Sequence, residues 1–174
     1  MRKTMSFAGI AVAMLFAPSA NAAPVDYNCD TPIGSYSQLV QAQAGPAYRV
    51  QGSLTPLTWR DDPDRQWAPV GQVRLESSDG ARWISLGIGR QPNAARGRIE
   101  VRVQAGDGRR TTVLGDVGLN EAMPFELQSS PSGEAVVIVG GERHVFRIEL
   151  GSNGKVEATC STGEFLFRGL DFGG

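Results

Sequence analysis

The sequence predicts an all-β domain, a sandwich or a barrel, because short strands of alternating polarity recur between tight turns. The clearest strand covers residues 98–104, where Ile99, Val101 and Val103 face one way and charged or polar residues face the other. The turns are dipeptides that tolerate positive φ, namely Asp79-Gly80, Asp107-Gly108, Gly140-Gly141 and Asn153-Gly154. Strands then recur about every ten to fourteen residues between positions 48 and 172, as in all-β sandwiches.

The same alternation predicts the other strands and their buried faces. The side chains expected to point inward are Tyr48, Val50 and Leu54 in one strand, Ile84, Leu86 and Ile88 in the next, and His144, Phe146, Ile148 and Leu150 in a later one. Residues 135–139 form a continuous apolar run, which is typical of a strand covered on both faces.

Three other stretches of the sequence have a less regular pattern. Residues 24–34 and 55–69 are predicted to be irregular, and residues 35–43 suit either a short helix or a first strand. In the C-terminal segment 162–172, Phe165 and Phe167 fall on one predicted face, and Leu166, Leu170 and Phe172 fall on the other. Such a strand, apolar on both faces, is expected to lie inside the structure.

The N-terminus reads as a secretion signal. Arg2 and Lys3 precede an apolar stretch of about ten residues, and the small residues Ala20 and Ala22 suit cleavage after Ala22. The stretch is too short to span a bilayer, which takes roughly 20 apolar residues. The prediction is a signal peptide over residues 1–22, one domain over residues 23–174, and a periplasmic or secreted protein that is not inserted in a membrane after cleavage.

The charge balance excludes one class of partner. Without the signal, 15 basic residues stand against 18 acidic ones. A slightly acidic chain offers no electrostatic basis for binding nucleic acid or an anionic membrane surface. The remaining length of about 150 residues suits a single domain with its own core.

The two cysteines, Cys29 and Cys160, lie near the two ends of the exported chain. In an oxidising compartment two cysteines most simply form a disulfide. The alternative is a pair of free thiols for redox or metal chemistry, but the sequence contains no CxxC motif and no ligand cluster beside either residue. We predict a disulfide that ties the N-terminal segment to the C-terminal strand.

The second half of the sequence resembles concanavalin A-like jelly-roll domains. The resemblance is carried by residues 118–121 (GLNE), 123–127 (MPFEL), 135–141 (AVVIVGG), 145–148 (VFRI) and 163–170 (GEFLFRGL), and it extends weakly over residues 48–172. It implies a two-sheet antiparallel sandwich of the jelly-roll type, with a concave face and with its first and last strands side by side. It also implies a superfamily whose members mostly bind or cleave glycans.

The catalytic motifs of that superfamily and of other hydrolases are missing. Its glucanases carry E-x-D-x-E or E-x-D-x-x-E on one strand, and this chain has neither pattern. Glu100, between Arg98 and Arg102, reads as part of a solvated sheet face. A serine triad would depend on His144, the single histidine, and no G-x-S-x-G motif accompanies it. The sequence therefore favours a protein that is not an enzyme, and catalytic residues are not assigned.

The loop at residues 57–67 (LTWRDDPDRQW) is the first candidate ligand site. Indole rings suit the apolar faces of sugars, and arginine and aspartate can bind hydroxyl groups, so the candidates are Trp59, Arg60, Asp62, Asp64, Arg65 and Trp67. The oxygens of Asp61, Asp62 and Asp64 could instead ligate Ca²⁺ as a cofactor. The third interpretation is structural, with the arginines pairing the aspartates and the tryptophans covering the sandwich.

Trp83 is the second candidate, because it shares a predicted face with Ser85, Gly87 and Gly89 and could form a shallow aromatic platform. With the faces reversed it would pack between the sheets. Three hypotheses follow: an exported β-sandwich that binds a glycan or another cell-envelope component without catalysis, through loop 57–67 or the concave face; a divergent glycoside hydrolase or lyase on the same scaffold; and a structural envelope domain.

Overall fold

The computed structural model describes residues 23–42, 45, 47–64, 66–105 and 108–173. The expected signal peptide, with its cleavage site after Ala22, lies outside these residues, as does Asp107 of one predicted turn. Ten strands make up the regular structure of the described residues: β1 (Val25–Ala42), β2 (Arg49–Trp59), β3 (Val70–Glu76), β4 (Trp83–Gly89), β5 (Gly97–Ala105), β6 (Gly108–Val117), β7 (Met123–Ser129), β8 (Glu134–Val139), β9 (Glu142–Arg147) and β10 (Lys155–Asp171).

The strands form one antiparallel sheet that folds back on itself at β1 and β10. The first half of β10, residues 155–161, pairs with β3, and its second half, residues 163–171, pairs with β2. β1 runs along the whole of β10. One layer, sheet I, therefore has the order β6-β5-β4-β3-β10-β1, and the other, sheet II, has the order β9-β8-β7-β2-β10-β1. This is the predicted all-β sandwich of the jelly-roll type.

The core lies between the two sheets and uses the alternation seen in the sequence. Val73 and Leu86 of sheet I belong to the same buried cluster as Leu54, Leu127 and Phe167 of sheet II. The inward residues predicted in β2, β4 and β5 are buried, except that Ile99 remains partly exposed. The apolar run 135–139 is buried on both faces only in its first part, since Ile138 and Val139 are half-buried.

A corner in β1 and β10 brings the two sheets together. The register shifts between Thr31 and Tyr36, and Thr162 takes a φ of 51°. The hydroxyl of Thr31 donates to the carbonyl of Gly163 (3.2 Å). The predicted disulfide joins Cys29 to Cys160 at this corner, with the two Cα atoms 6.1 Å apart. It links the two strands that belong to both sheets.

The N-terminal segment is more regular than the sequence suggested. Residues 24–34, predicted to be irregular, contribute to β1, and residues 35–42 continue it as a strand rather than a helix. The reason is the pairing with β10, which supplies partners for most of residues 25–31 and for all of residues 36–42. The region 55–69 is likewise a strand as far as Trp59, where β2 ends.

The C-terminal strand departs from simple alternation. Phe165 and Phe167 are buried as predicted, but Leu170 is buried with them rather than opposite to them. The register between β10 and β2 shifts between Arg168 and Asp171, where Gly169 has a φ of 59°. An extra residue in a strand reverses the faces beyond it, so Leu170 turns into the core. Among the described residues there is no helix able to cross a membrane.

Candidate functional site

The outer face of sheet I is a broad polar surface with a buried tryptophan. Residues opposite one another in antiparallel strands share a face, so the pairing registers define its members. They are Tyr36, Gln38 and Val40 on β1; Lys155, Glu157, Thr159 and Ser161 on β10; Val70, Gln72, Arg74 and Glu76 on β3; Trp83, Ser85, Gly87 and Gly89 on β4; Arg98, Glu100, Arg102 and Gln104 on β5; and Arg109, Thr111 and Val113 on β6.

A depression of about 250 Å³ lies on this face where β1, β10 and β3 meet. Tyr36, Gln38, Gln72, Arg74 and Glu157 are the larger side chains that line it. A much smaller hollow adjoins it across β4 and β5 and shares Val70 and Gln72 with the depression. The two together form a track from β1 to β5, which we call the sheet I track.

Glycine at position 87 keeps the middle of this track low. A Cβ atom there would lie 2.6 Å from the carbonyl oxygen of Gly71 and from the Cβ atom of Gln72. Neither atom can move without shifting a strand, so no larger residue fits. The sequence pattern of Trp83 beside small residues thus marks a real face, and it is the outer face of sheet I.

Trp83 is covered by two arginines. It is 8% exposed, and its ring centroid lies 4.6 Å from the guanidinium carbon of Arg74 and 5.0 Å from that of Arg109. Guanidinium groups are attracted to the negative face of an indole ring. The indole therefore orients two cations, of which Arg74 lines the track, and offers little open surface of its own.

A network of charges lies beside Trp83. The ammonium of Lys155 contacts the carboxylates of Glu157 (2.5 Å) and Glu76 (3.1 Å), and Arg74 also pairs with Glu76. Both glutamates are buried. Burial lowers the pKa of Arg74; the nearby Glu157 opposes this change and Arg109 adds to it. The network places two carboxylates close together and neutralises them with cations.

The far end of the track has a second ion pair. Arg102 donates to the carboxylate of Glu100 through Nη2 (2.7 Å) and Nε (3.1 Å). Both residues were expected to form a solvated face, and they line the hollow over Gly87. Arg102 remains one-third exposed, so its guanidinium can still reach a ligand.

In the loop 57–67, Trp59 and Arg60 are occupied by contacts within the protein. Trp59 packs edge-to-face on Phe165, with 5.7 Å between ring centroids, and its indole nitrogen is buried without a hydrogen-bond partner. Arg60 donates to the carboxylate of Asp30 (2.6 Å) and to the carbonyl of Thr31 (2.7 Å). Trp59 thus packs against β10, and Arg60 fastens the loop to β1.

The aspartates of the loop are separated by their partners. Asp61 forms a two-pronged ion pair with the buried Arg90. The carboxylate of Asp62 accepts backbone N–H bonds from Asp64 (3.0 Å), Gln66 and Trp67 (2.9 Å each). Removal from water acts to raise the pKa of Asp62 and is the largest single influence, but these three donors together hold it below its ordinary value.

The aspartates of the loop, which were candidate calcium ligands, do not form a cluster with other metal-binding side chains in the part of the chain that the structure describes. Among the described residues, no three His, Cys, Asp or Glu side chains are arranged to hold a metal ion. Arg65 lies outside the described residues. Trp67 is 44% exposed and lies beside Gly34 at the corner. Three residues later the chain enters β3 at Val70, which lines the depression, so this end of the loop adjoins it.

Sequence reasoning singled out Trp83 on the outer face of sheet I but missed the residues that line the track. Gln72 and Arg74 on β3, and Glu157 on β10, were not among the candidates. The available signal was the alternation of polar residues at 70–76 and 155–161 opposite a buried apolar row. Which polar rows meet depends on the pairing of β10 with β3, and these strands are about eighty residues apart in the sequence.

No protein-family model matches the chain, and no curated protein is significantly similar to its sequence. Solved structures are similar in fold. An alginate lyase from Alteromonas sp. 272 has a TM-score of 0.53 at 13% identity, covering 86% of this chain and 71% of its own. The carbohydrate-binding module CBM66 from Bacillus subtilis has a TM-score of 0.52 at 9% identity, covering 78% and 80%.

A third similar structure is CG-16, a homodimeric agglutinin from chicken liver, with a TM-score of 0.50 at 13% identity, covering 79% of this chain and 100% of its own. Together with the strand order described above, these similarities define the class: the chain has the concanavalin A-like jelly-roll fold. Lyases, a carbohydrate-binding module and an agglutinin share this architecture.

Proposed function

We propose that this protein is an exported glycan-binding protein that uses the sheet I track without catalysis. The observation that carries the proposal is the depression bounded by Tyr36, Gln38, Gln72 and Arg74. An exposed aromatic ring, two amides and a cation are the groups that recognise the apolar face, the hydroxyls and the acidic substituents of sugars. Ligand sites are typically concave and contain a few such convergent polar groups.

Each side chain of the track has a separate role in this proposal. Tyr36 is 69% exposed and stacks on a sugar ring. Gln38 and Gln72 bind hydroxyls, while Arg74 and Arg102 bind acidic groups. Trp83 holds the guanidinium of Arg74 in place. The cations of the track, together with the alginate lyases among similar folds, favour an acidic glycan over a neutral one.

Two larger depressions suit a glycan less well. One of about 610 Å³ lies among turns at an end of the sandwich, and one of about 390 Å³ lies on the outer face of sheet II. Neither is lined by a tryptophan or a tyrosine, and Phe125, which lines the second, is buried in the core. A sugar site gains its flat apolar surface from an exposed aromatic ring. Volume alone does not decide between the sites, since the chemistry of the lining is what binds.

The test is a calorimetric titration of the purified protein with uronate-containing and with neutral polysaccharides. Tyr36→Ala, Gln72→Ala and Arg102→Ala are each expected to weaken binding by about tenfold, equivalent to roughly 1.4 kcal/mol. Gln128→Ala, on the outer face of sheet II, is the matched control for Gln72→Ala and should leave affinity unchanged. If Trp59→Ala or Trp67→Ala abolished binding while the track variants bound as tightly as wild type, the ligand site would be loop 57–67 and not the track.

One observation favours a second candidate, a glycoside hydrolase. Glu76 and Glu157 both contact the ammonium of Lys155, and a retaining glycosidase likewise holds two carboxylates close together, about 5 Å apart. Both are neutralised and buried, which suits a structural role better than proton transfer. Release of reducing ends that stops in Glu157→Gln would support hydrolysis, and release of unsaturated products would support a lyase. Binding without either product supports the first proposal.

A further inference from the structure

β1 is the edge strand of both sheets. Its eighteen residues pair with β10 on one side and, within the described residues, with no strand on the other. A free edge carries a row of backbone N–H and C=O groups able to pair with a further strand. Among the described strands this is the longest edge, and it runs past the depression of the sheet I track.

The second half of this edge has no charge. Residues 36–42 (YSQLVQA) contain neither acidic nor basic side chains, and they pair with β10 in unbroken register. Tyr36 and Val40 are among the large apolar residues left exposed on the surface, at 69% and 42%. The first half differs, because Asp26 and Asp30 lie on it.

The other edges of the two sheets are protected. β6, at the far edge of sheet I, carries Arg109, Arg110 and Asp116. β9, at the edge of sheet II, carries Glu142, Arg143 and Arg147. Charged residues on edge strands oppose edge-to-edge pairing. Among the edges that the structure describes, residues 36–42 are therefore the one left open to another strand.

We propose that residues 36–42 pair antiparallel with the same residues of a second copy, so that sheet I continues across a two-fold symmetric dimer. A two-fold axis brings a strand against itself, and a neutral strand then meets no like charge in any register. The pairing would satisfy the free backbone groups and cover Val40. It would also place the two depressions, each open towards β1 at Tyr36 and Gln38, on either side of the dimer axis.

The test is sedimentation velocity of the purified protein from low micromolar to submillimolar concentration. The wild-type protein is expected to dimerise, and Val40→Lys is expected to give monomers, because the substitution places like charges at the pairing edge. Val113→Lys is the matched control: Val113 is 51% exposed on the same outer face, but it lies on β6. It should leave the dimer intact.

A mixing experiment separates loss of pairing from loss of folding. Val40→Lys and Val40→Glu should each be monomeric with the wild-type circular dichroism spectrum, and their equimolar mixture should recover dimers. A wild-type protein that stays monomeric at all concentrations would overturn the proposal, as would a dimer that persists in Val40→Lys. These outcomes do not depend on glycan binding, so they can fail or succeed independently of the proposed function.

Discussion

The guanidinium of Arg74 lies 4.6 Å from the centre of the Trp83 ring, on the outer face of sheet I. The two residues are on neighbouring strands, with Arg74 opposite Ser85 and Trp83 opposite Glu76. Their contact lies diagonally across the strand pair, within reach of long side chains. The contact orients the guanidinium of Arg74, which lines the depression. We therefore expect Trp83 to contribute both to the stability of this face and to glycan binding.

Removal of the Trp83 ring is expected to affect both stability and binding. Trp83→Ala should lower the free energy of unfolding by about 3 kcal/mol, since a nearly buried tryptophan is lost. It should also weaken glycan binding, because Arg74 and Arg109 lose their support. Urea denaturation and calorimetry measure the two effects. Trp67→Ala is the control for stability and should cost less than about 1 kcal/mol, since surface substitutions are usually mild.

Loss of the disulfide is expected to destabilise the corner. The bridge spans 131 residues of sequence, and closing so long a loop restricts the unfolded chain. The double variant Cys29→Ser with Cys160→Ser should lose about 2–4 kcal/mol of unfolding free energy. Denaturant unfolding of this variant, and of the reduced wild-type protein, gives the value. A loss below about 1 kcal/mol in both would show that the strand pairing holds the corner without the bridge.

Gly71 is expected to be intolerant of a side chain. A Cβ atom at this position would lie 2.5 Å from the ring of Phe165, which is fully buried and cannot move aside. Gly71→Ala should therefore destabilise by about 1–3 kcal/mol through overpacking. At Gly115, another strand glycine, the nearest atom is 4.0 Å away. Gly115→Ala is the matched control, and thermal unfolding of the two variants should differ clearly.

The loop at residues 57–67 is expected to loosen in acid. Because the pKa of Asp62 is lowered in the folded protein, its carboxylate stabilises the loop above its unfolded pKa, about 4, and this contribution is lost as the pH falls through the lower folded value. Asp62→Ala should therefore be less stable than wild type at neutral pH. The difference in stability should decrease as the pH falls through the pKa of Asp62 in the folded protein. Urea midpoints against pH measure this. A difference that does not change with pH would contradict the role of the charge.

The sequence predicted much of the fold because alternation is a local property. The inward rows of β2, β4 and β5 could be identified from period two alone, and the disulfide from the number of cysteines and the expectation of an export signal. β1 could not be placed in this way. Residues 24–34 contain prolines and a glycine and no clear alternation, and they form a strand because β10 pairs with them across the whole sequence.

The residues of the candidate site also differ in whether the sequence could identify them. Trp83 stood out because a large aromatic residue alternated with glycines and a serine. Gln72, Arg74 and Glu157 did not, because polar residues on the outer side of a strand look alike until their neighbours are known. The loop aspartates illustrate the converse, since they are clustered in the sequence but are drawn apart by Arg90 and by the backbone of the loop.

By itself, the sequence determined the all-β class, most of the inward faces and the pairing of the two cysteines, because each depends on local periodicity or on simple counting. Only the tertiary structure decided which polar rows meet, how β1 and β10 pass from one sheet to the other, and which edge is left open. These features depend on pairing between strands far apart in the chain, which cannot be inferred from the spacing of residues in the sequence.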